Sequence, residues 1–388
     1  MSLSAPVLAF EENSGLDTAE SAASCALKLV RHDALSKADL SAIEQLAHQP
    51  AARHSGNVFF APRAVAASAS LSRGSIDWLL WFQDGRLCLA APVVISRIAS
   101  FSLVRIWTHT YAPLGTPLAD KRLRPDLLFE ELADRGFSAL ACPLLETGST
   151  LATAVALPGG RQDGRAGFWS GIAERAVLTS DWTEAAALSA QRKKKLRKMQ
   201  RTLPLVHRVL RGDAARDEGF RQFCELEAMG WKGAAGSALK QSDTALAYAS
   251  ELVASHGAQD TLAIDSLEDP QRQGNQSVAM VISFEIAGRG VVWKIGHNTD
   301  YDAVSPGYQV ILAASRRFAA ENTPIWIDSL AGPEHPLVGW LWPQRLTVGT
   351  LVVPLKGSHA PARTLSGFYQ AEARLRQVAR ALRQRLRR

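Results

Sequence analysis

The sequence predicts a mixed α/β chain arranged as two lobes. At 388 residues it exceeds what one hydrophobic core usually organises. Its hydrophobic content of 47% is that of a globular chain, and no apolar run reaches the roughly eighteen residues of a membrane span. Helix-like and strand-like periods alternate, and the order helix, strands, helix, strand occurs loosely twice. No internal repeat is strong enough to prove duplication.

Residues 1–45 are rich in Ala, Ser and Glu and form an extension with a first strand at Ala26–Val30. Ser41–His48 reads as a short helix. Asp77–Phe82 and Arg86–Val94 are apolar runs joined by Gln83-Asp84-Gly85, and Asp-Gly between such runs signals a hairpin. Phe101–Trp107 reads as a strand, Pro125–Arg135 as a helix and Ala139–Leu144 as a buried strand. Asp181-Trp182-Thr183-Glu184 has the pattern of a capping box that opens a helix reaching about Leu203. Strands follow at Leu205–Leu210, Thr261–Ser266, Ser277–Ile286 and Gly290–Ile295, with helices between them at Ala214–Ala228 and Asp243–Ser255. The polar segment Glu268–Asn275 is a hairpin tip or loop. Helix Gln309–Glu321 and strand Pro324–Asp328 come next, then a long loop anchored by Trp340 and Trp342. The expected division is an extension at 1–45, a first lobe at 46–180, a second lobe at 181–360 and a tail helix at 361–388.

The net charge of +7 hides two patches. Arg192–Arg201 holds seven basic residues and no acid, and Arg374–Arg388 holds seven arginines and no acid. Together they contribute +14, so the rest of the chain sums to −7. This distribution argues against diffuse nucleic-acid affinity and for local anion contacts. The four cysteines, Cys25, Cys88, Cys142 and Cys224, are dispersed and suggest neither a disulfide framework nor a zinc site. The N-terminus lacks a basic n-region and an apolar core, so the expectation is a cytoplasmic protein with reduced thiols and no metal.

The stretch Val291–Asp328 carries the most chemistry. A strand-like run ends in a loop, Ser305-Pro306-Gly307 stands before a helix, and a second strand ends on Asp328. A helix N-terminus has unpaired N–H groups and a positive dipole end, so the layout suits an anion. The same punctuation also fits a plain helix start. Trp293-Lys294-Ile295-Gly296-His297-Asn298-Thr299-Asp300-Tyr301 followed by Ser305-Pro306-Gly307 resembles the GNAT acyltransferase superfamily. The similar branch is the cellulose-biosynthesis acetyltransferase (CelD/BcsL) type. Glu227-Ala228-Met229-Gly230-Trp231-Lys232-Gly233, then Gly236-Ser237-Ala238-Leu239, resembles that branch's second motif. The likeness is clear over Ala185–Val353. It is faint over Asn57–Leu178, where Asn57–Pro62 and His109–Leu118 look like its N-terminal half.

This resemblance implies two tandem GNAT-like lobes with mixed central sheets flanked by helices, the first lobe degenerate. It also implies an acyltransferase that moves an acyl group, acetyl from acetyl-CoA or another acyl from its acyl-CoA, directly to an N or O acceptor. A sugar or cell-envelope or exopolysaccharide precursor is the implied acceptor class. The implied cofactor cradle is Ser305, Pro306, Gly307, Tyr308 and Gln309. Gly307 admits a phosphate close to the backbone and Pro306 presets φ. Trp231 and Lys232 would stand in the acceptor loop, Trp231 as a stacking surface and Lys232 facing an anionic acceptor. Lys294 ends its strand run; alternation puts Trp293 and Ile295 on one face and Lys294 on the other. Lys294 could polarise the thioester or face solvent. Glu285, His297, Asp300 and Asp328 are the candidate bases. The sequence departs from the branch after Asp328, where its Tyr-Lys pair is replaced by Pro336-Leu337. Two rival readings stand: a Fem-like transferase that takes an aminoacyl group from tRNA, and a non-catalytic subunit of a polysaccharide assembly complex. In the tail, Leu375, Val378, Ala379, Leu382 and Leu386 recur at helical spacing among the arginines, forming a basic amphipathic helix. It docks on the body by default, or on a biosynthetic complex, or peripherally on an anionic inner-membrane surface.

Overall fold

The computed structural model describes residues 24–49, 56–71, 75–98, 100–155, 167–230, 233, 236–271, 276–321, 326–332, 334–355 and 357–386. Thirteen strands join in one sheet. Strands β1 (Cys25–Arg31), β2 (Asp77–Gln83), β3 (Arg86–Ile98) and β4 (Phe101–Ile106) form an antiparallel meander. The short β5 (Leu118–Ala119) pairs with β3, and β6 (Ala139–Glu146) lies parallel to β4. A second meander runs through β8 (Val206–Arg211), β9 (Leu262–Glu268), β10 (Ser277–Ile286) and β11 (Arg289–His297), with β12 (Trp326–Asp328) parallel to β11.

The two lobes thus share one plan, and each is closed by a strand from the other half of the chain. β7 (Phe168–Thr179) follows β6 in sequence but pairs antiparallel with β12. β13 (Gln344–Pro354) follows β12 but pairs antiparallel with β6. The exchanged strands pair with each other. Separating the lobes would break all three ladders and leave their backbone groups unpaired.

Most elements lie where the hydrophobic period places them, including the Asp84-Gly85 hairpin. The helix expected from Asp181 to Leu203 is two helices. Thr183 caps Glu184–Ala187, buried Leu188 is extended, and Ser189 caps Ala190–Thr202. Burying Leu188 beside Trp182 breaks the helix, and a second Ser cap restarts it.

Each face of the second-lobe sheet carries helices. Helices Phe220–Met229 and Asp243–Gly257 pack Phe223, Leu226, Tyr248 and Leu252 against Met280, Ile282, Phe284 and Val291. Helices Ala190–Thr202 and Pro306–Glu321 pack Leu196, Met199, Ile311 and Ala314 against Val281, Val292 and Ile327 on the opposite face. Each fully buried large side chain contributes roughly 1.5–3 kcal/mol. Trp342 is fully buried, with its indole N–H bonded to Ser315 Oγ at 2.9 Å.

Candidate active site

The site is organised by β11. Its pairing with parallel β12 lasts three residues, Arg289 to Val291. Beyond them β12 ends at Asp328, and among the described residues the β12-facing edge of Val292–His297 has no ladder partner. This opens a wedge lined by backbone groups. A bulge lies in the same stretch: Ile282 pairs with Lys294 and Ser283 with Val292, so Trp293 is an extra residue. A bulge re-aims the side chains beyond it. The alternation expected for Trp293, Lys294 and Ile295 is therefore wrong. Trp293 packs in the cluster with Phe284, Lys294 turns to Glu227 on that same face, and Ile295 packs in the opposite cluster.

On the opposite face the helix Pro306–Glu321 begins. Ser305 adopts the left-handed conformation at φ 49° and ψ 58°, and its carbonyl accepts from the Tyr308 and Gln309 amides. Among the described residues the Gly307 amide donates to nothing. A Cβ on Gly307 would lie 3.3 Å from His297 Nδ1, a tight approach that the imidazole would have to yield to. His297 Nε2 lies 3.1 Å from Asp302 Oδ1. Gln309 donates to Val304 O at 2.8 Å and braces the turn from inside.

Beside Ser305 lies a cleft of about 320 Å³ lined by Arg192, Lys195, Met199, Tyr308, Leu337 and Trp340. The Arg192 guanidinium stands 3.8 Å over the Trp340 ring, and Tyr308 packs on Trp340 at 5.0 Å between centroids. The buried Tyr308 hydroxyl has no hydrogen-bond partner. Burial and the nearby Glu184 push its pKa up to about 12, so it remains a neutral donor. The first basic patch thus flanks the cradle, where two cations and a helix N-terminus converge on one anion-sized space.

Across β11 the second wall comes from both lobes. Lys294 Nζ bonds Glu227 Oε1 at 3.0 Å, and the fully buried Glu227 also accepts from the Leu239 amide at 2.9 Å. Lys294 lies 5.1 Å from the Tyr111 ring centroid. Tyr111 belongs to the His109–Leu118 motif, which the first lobe holds rigidly. Asn57 Nδ2 donates to Leu114 O at 3.0 Å and Thr116 O at 2.8 Å. Gly115 lies so near β6 that a Cβ would come within 1.8 Å of Pro143 O. Trp293 Nε1 donates to Tyr111 O at 2.9 Å and closes the contact. His109 packs edge-on to Tyr248 at 4.6 Å, and neither His109 Nε2 nor the Tyr248 hydroxyl has a partner. Burial holds His109 neutral, with its pKa lowered to about 4. Cys224 is not a nucleophile at neutral pH, because burial and then Glu227 push its thiol up to about 12.

Two of the expected bases lie elsewhere. Asp328 is fully buried, bonded to Arg175 Nη1 at 3.0 Å and to the Leu330 amide at 2.7 Å. With Glu146 and Arg289 it forms a closed ionic knot between the lobes, so it cannot reach an acceptor proton. Glu285 pairs with Arg317 at 2.8 Å in a network with Asp265 and Glu321. Glu321 is the last residue of the helix that begins at Pro306, so this network sits at the far end from the cradle. Asp300 lies in the turn after β11, where its amide donates to Asn298 Oδ1. Trp231 and Lys232 lie outside the described residues. Leu337, at one position of the missing Tyr-Lys pair, lines the cleft beside Tyr308. Tyr111, His109, Tyr248 and Glu227 escaped the sequence reading as site residues; only the letters of the His109 and Trp231 motifs pointed near them.

The family model described as an acetyltransferase (GNAT) domain matches residues 189–335. No curated protein matches the sequence. Among solved structures, FemX superposes with a TM-score of 0.52 at 10% identity, covering 81% of this chain and 95% of its own. The C-terminal domain of an Agrobacterium fabrum protein described as a lysylphosphatidylglycerol synthetase superposes at 0.50 and 10% identity, covering 85% and 96%. At these identities the likeness is one of fold. The matched span opens at the cap of the basic helix and contains β11, the cradle and β12. Residues 189–335 thus match a GNAT acetyltransferase domain, which supports an acyltransferase.

Proposed function

We propose that the protein transfers an acyl group from acyl-CoA to an amine or hydroxyl of a sugar or cell-envelope precursor. The observation that supports this most is the cradle. Ser305-Pro306-Gly307 opens a buried helix, the Gly307 amide has no acceptor among the described residues, and Arg192 and Lys195 line the cleft beside Ser305. A pyrophosphate would be held there by amides and cations, with the Tyr308 hydroxyl as a further donor. His297 packs the cradle from behind. The acyl arm would run along the unpaired edge of β11, whose amides can hold the tetrahedral oxyanion.

The acceptor enters from the other face, between Lys294–Glu227 and the first-lobe loop with Tyr111 and His109. Its nitrogen or oxygen attacks the thioester carbon, the C–S bond breaks, and the proton lost by the acceptor passes to the departing thiolate, so that CoA leaves as the thiol. Lys294 orients the acyl carbonyl or an anionic part of the acceptor, and Glu227 fixes its position. The partly buried rings of Tyr111 and Trp293, both beside Lys294, suit the flat face of a sugar ring.

Calorimetry with acetyl-CoA tests the donor assignment. The wild-type protein is expected to bind it, and Gly307→Trp to lose binding while keeping its fold by circular dichroism. Unchanged binding by Gly307→Trp would remove the cradle from the reading. Binding of aminoacyl-tRNA in place of acetyl-CoA would reassign the donor.

A further inference from the structure

The helix His359–Leu386 carries two apolar faces, and the structure explains only one. Its first half lies across the exchanged strands. Ala362, Leu365 and Tyr369 pack with Ala139, Ala141, Phe168 and Val352. Gln370 accepts from the Gly171 amide at 2.8 Å, and Ala373 lies against Gly171. The docking expected of the tail on the body is therefore real for this half. The second face points away. Phe368, Leu375 and Val378 are 69%, 70% and 56% exposed. At about 100° per residue, Leu375 and Val378 stand roughly 120–180° around the helix from Tyr369. In sequence, Ala379, Leu382 and Leu386 follow at helical spacing, among seven arginines between Arg374 and Arg388.

We propose that the segment from Phe368 to Leu386 lies flat on an anionic lipid bilayer, with its apolar sector in the headgroup–acyl boundary and its arginines among the phosphates. Three features favour that occupant. From Arg374 onward the segment holds no acid, and apolar residues among arginines are complementary to acyl chains and anionic headgroups together. A nucleic acid would use the arginines but leave Leu375 and Val378 in water. A second copy of the tail would bring seven arginines against seven. Among the described residues no helix is long and apolar enough to cross a membrane, so the contact is a surface one. Because the first half is fixed to β7 and β13, this segment would set the orientation of the whole sheet toward the bilayer.

Co-sedimentation of the full-length protein with large vesicles tests this. Binding to phosphatidylglycerol vesicles is expected to exceed binding to phosphatidylcholine vesicles by at least about tenfold and to fall with salt. A Leu375→Glu/Leu382→Glu variant is expected to lose it, while its circular dichroism and acetyl-CoA binding stay at wild-type values. Equal sedimentation of wild type and variant would overturn the proposal. So would a concentration-dependent dimer that the same double substitution dissolves, which would assign the face to a second copy. Salt-sensitive RNA binding that the double substitution leaves intact, without vesicle binding, would overturn it too. Acetyl-CoA binding is read separately, so a failure of the donor assignment remains distinguishable.

Discussion

The two lobes repeat one strand plan but differ where their fourth strands end. In the second lobe the following helix opens Pro306-Gly307, with no acid in its first turn and with Arg192 and Lys195 nearby. In the first lobe the matching helix opens Pro125-Asp126, and the Asp126 carboxylate is bonded to Arg124 at 2.8 Å. One helix N-terminus is open to an outside anion; the other supplies its own. The strands differ as well. β11 has a bulge at Trp293 that turns Lys294 toward Glu227, whereas β4 pairs with β3 in unbroken register. Identical topology therefore does not give two equivalent sites. A first-turn acid and one extra strand residue distinguish the two lobes. The first lobe contributes instead by its His109–Leu118 loop, which it holds against β11.

Several substitutions can break this contrast. The largest effect is expected at the junction. Arg289→Ala would remove the guanidinium from the buried carboxylates Glu146 and Asp328, and about 3–5 kcal/mol of stability should be lost, measured by urea unfolding. If the lobes unfold independently instead, the one-sheet description fails. Gly307→Asp gives the second lobe the first-turn carboxylate of the first. Acetyl-CoA affinity should fall by at least about 100-fold through like-charge repulsion, read by calorimetry.

Acid should loosen the contact between lobes. His256 bonds Val58 O at 2.8 Å in the first lobe and Thr261 Oγ1 at 2.7 Å in the second. Burial lowers its pKa to about 4. The folded value lies below that of the unfolded chain, so the unfolded state takes up the proton first as pH falls. The stability this group contributes is complete above about 6.5 and is lost between there and about 4. At pH 5 the loss should be roughly 2 kcal/mol relative to pH 7. Urea midpoints at both pH values check it, and a His256→Gln variant should show a flatter dependence.

The cationic flank gives a smaller effect. Arg192→Ala/Lys195→Ala should weaken acetyl-CoA binding about tenfold and reduce its salt dependence. The smallest belongs to the first lobe. Asp126→Asn should leave acetyl-CoA affinity within about twofold and cost roughly 0.3–1 kcal/mol of stability. A large loss of affinity there would show that the first lobe holds the donor after all.

Much of the plan was legible because it is local. The Asp84-Gly85 hairpin, β10, helix Pro125–Asp134 and the Ser305-Pro306-Gly307 helix start each announce themselves within a few residues, through period and turn chemistry. β7 and β13 did not. Gly171 and Gly349 interrupt them, their registers shift at bulges, and β7 has exposed residues in its middle. Their reciprocal exchange is a long-range pairing that no window of sequence contains. The site divides in the same way. Ser305-Pro306-Gly307 is consecutive, so the sequence alone determined this helix start, together with the basic patches. Which face Lys294 takes, the removal of Asp328 and Glu285 into ionic networks, and the meeting of Tyr111 with Trp293 were decided only by tertiary structure. A bulge's register and a buried charge's partner come from strands and helices far apart in the chain.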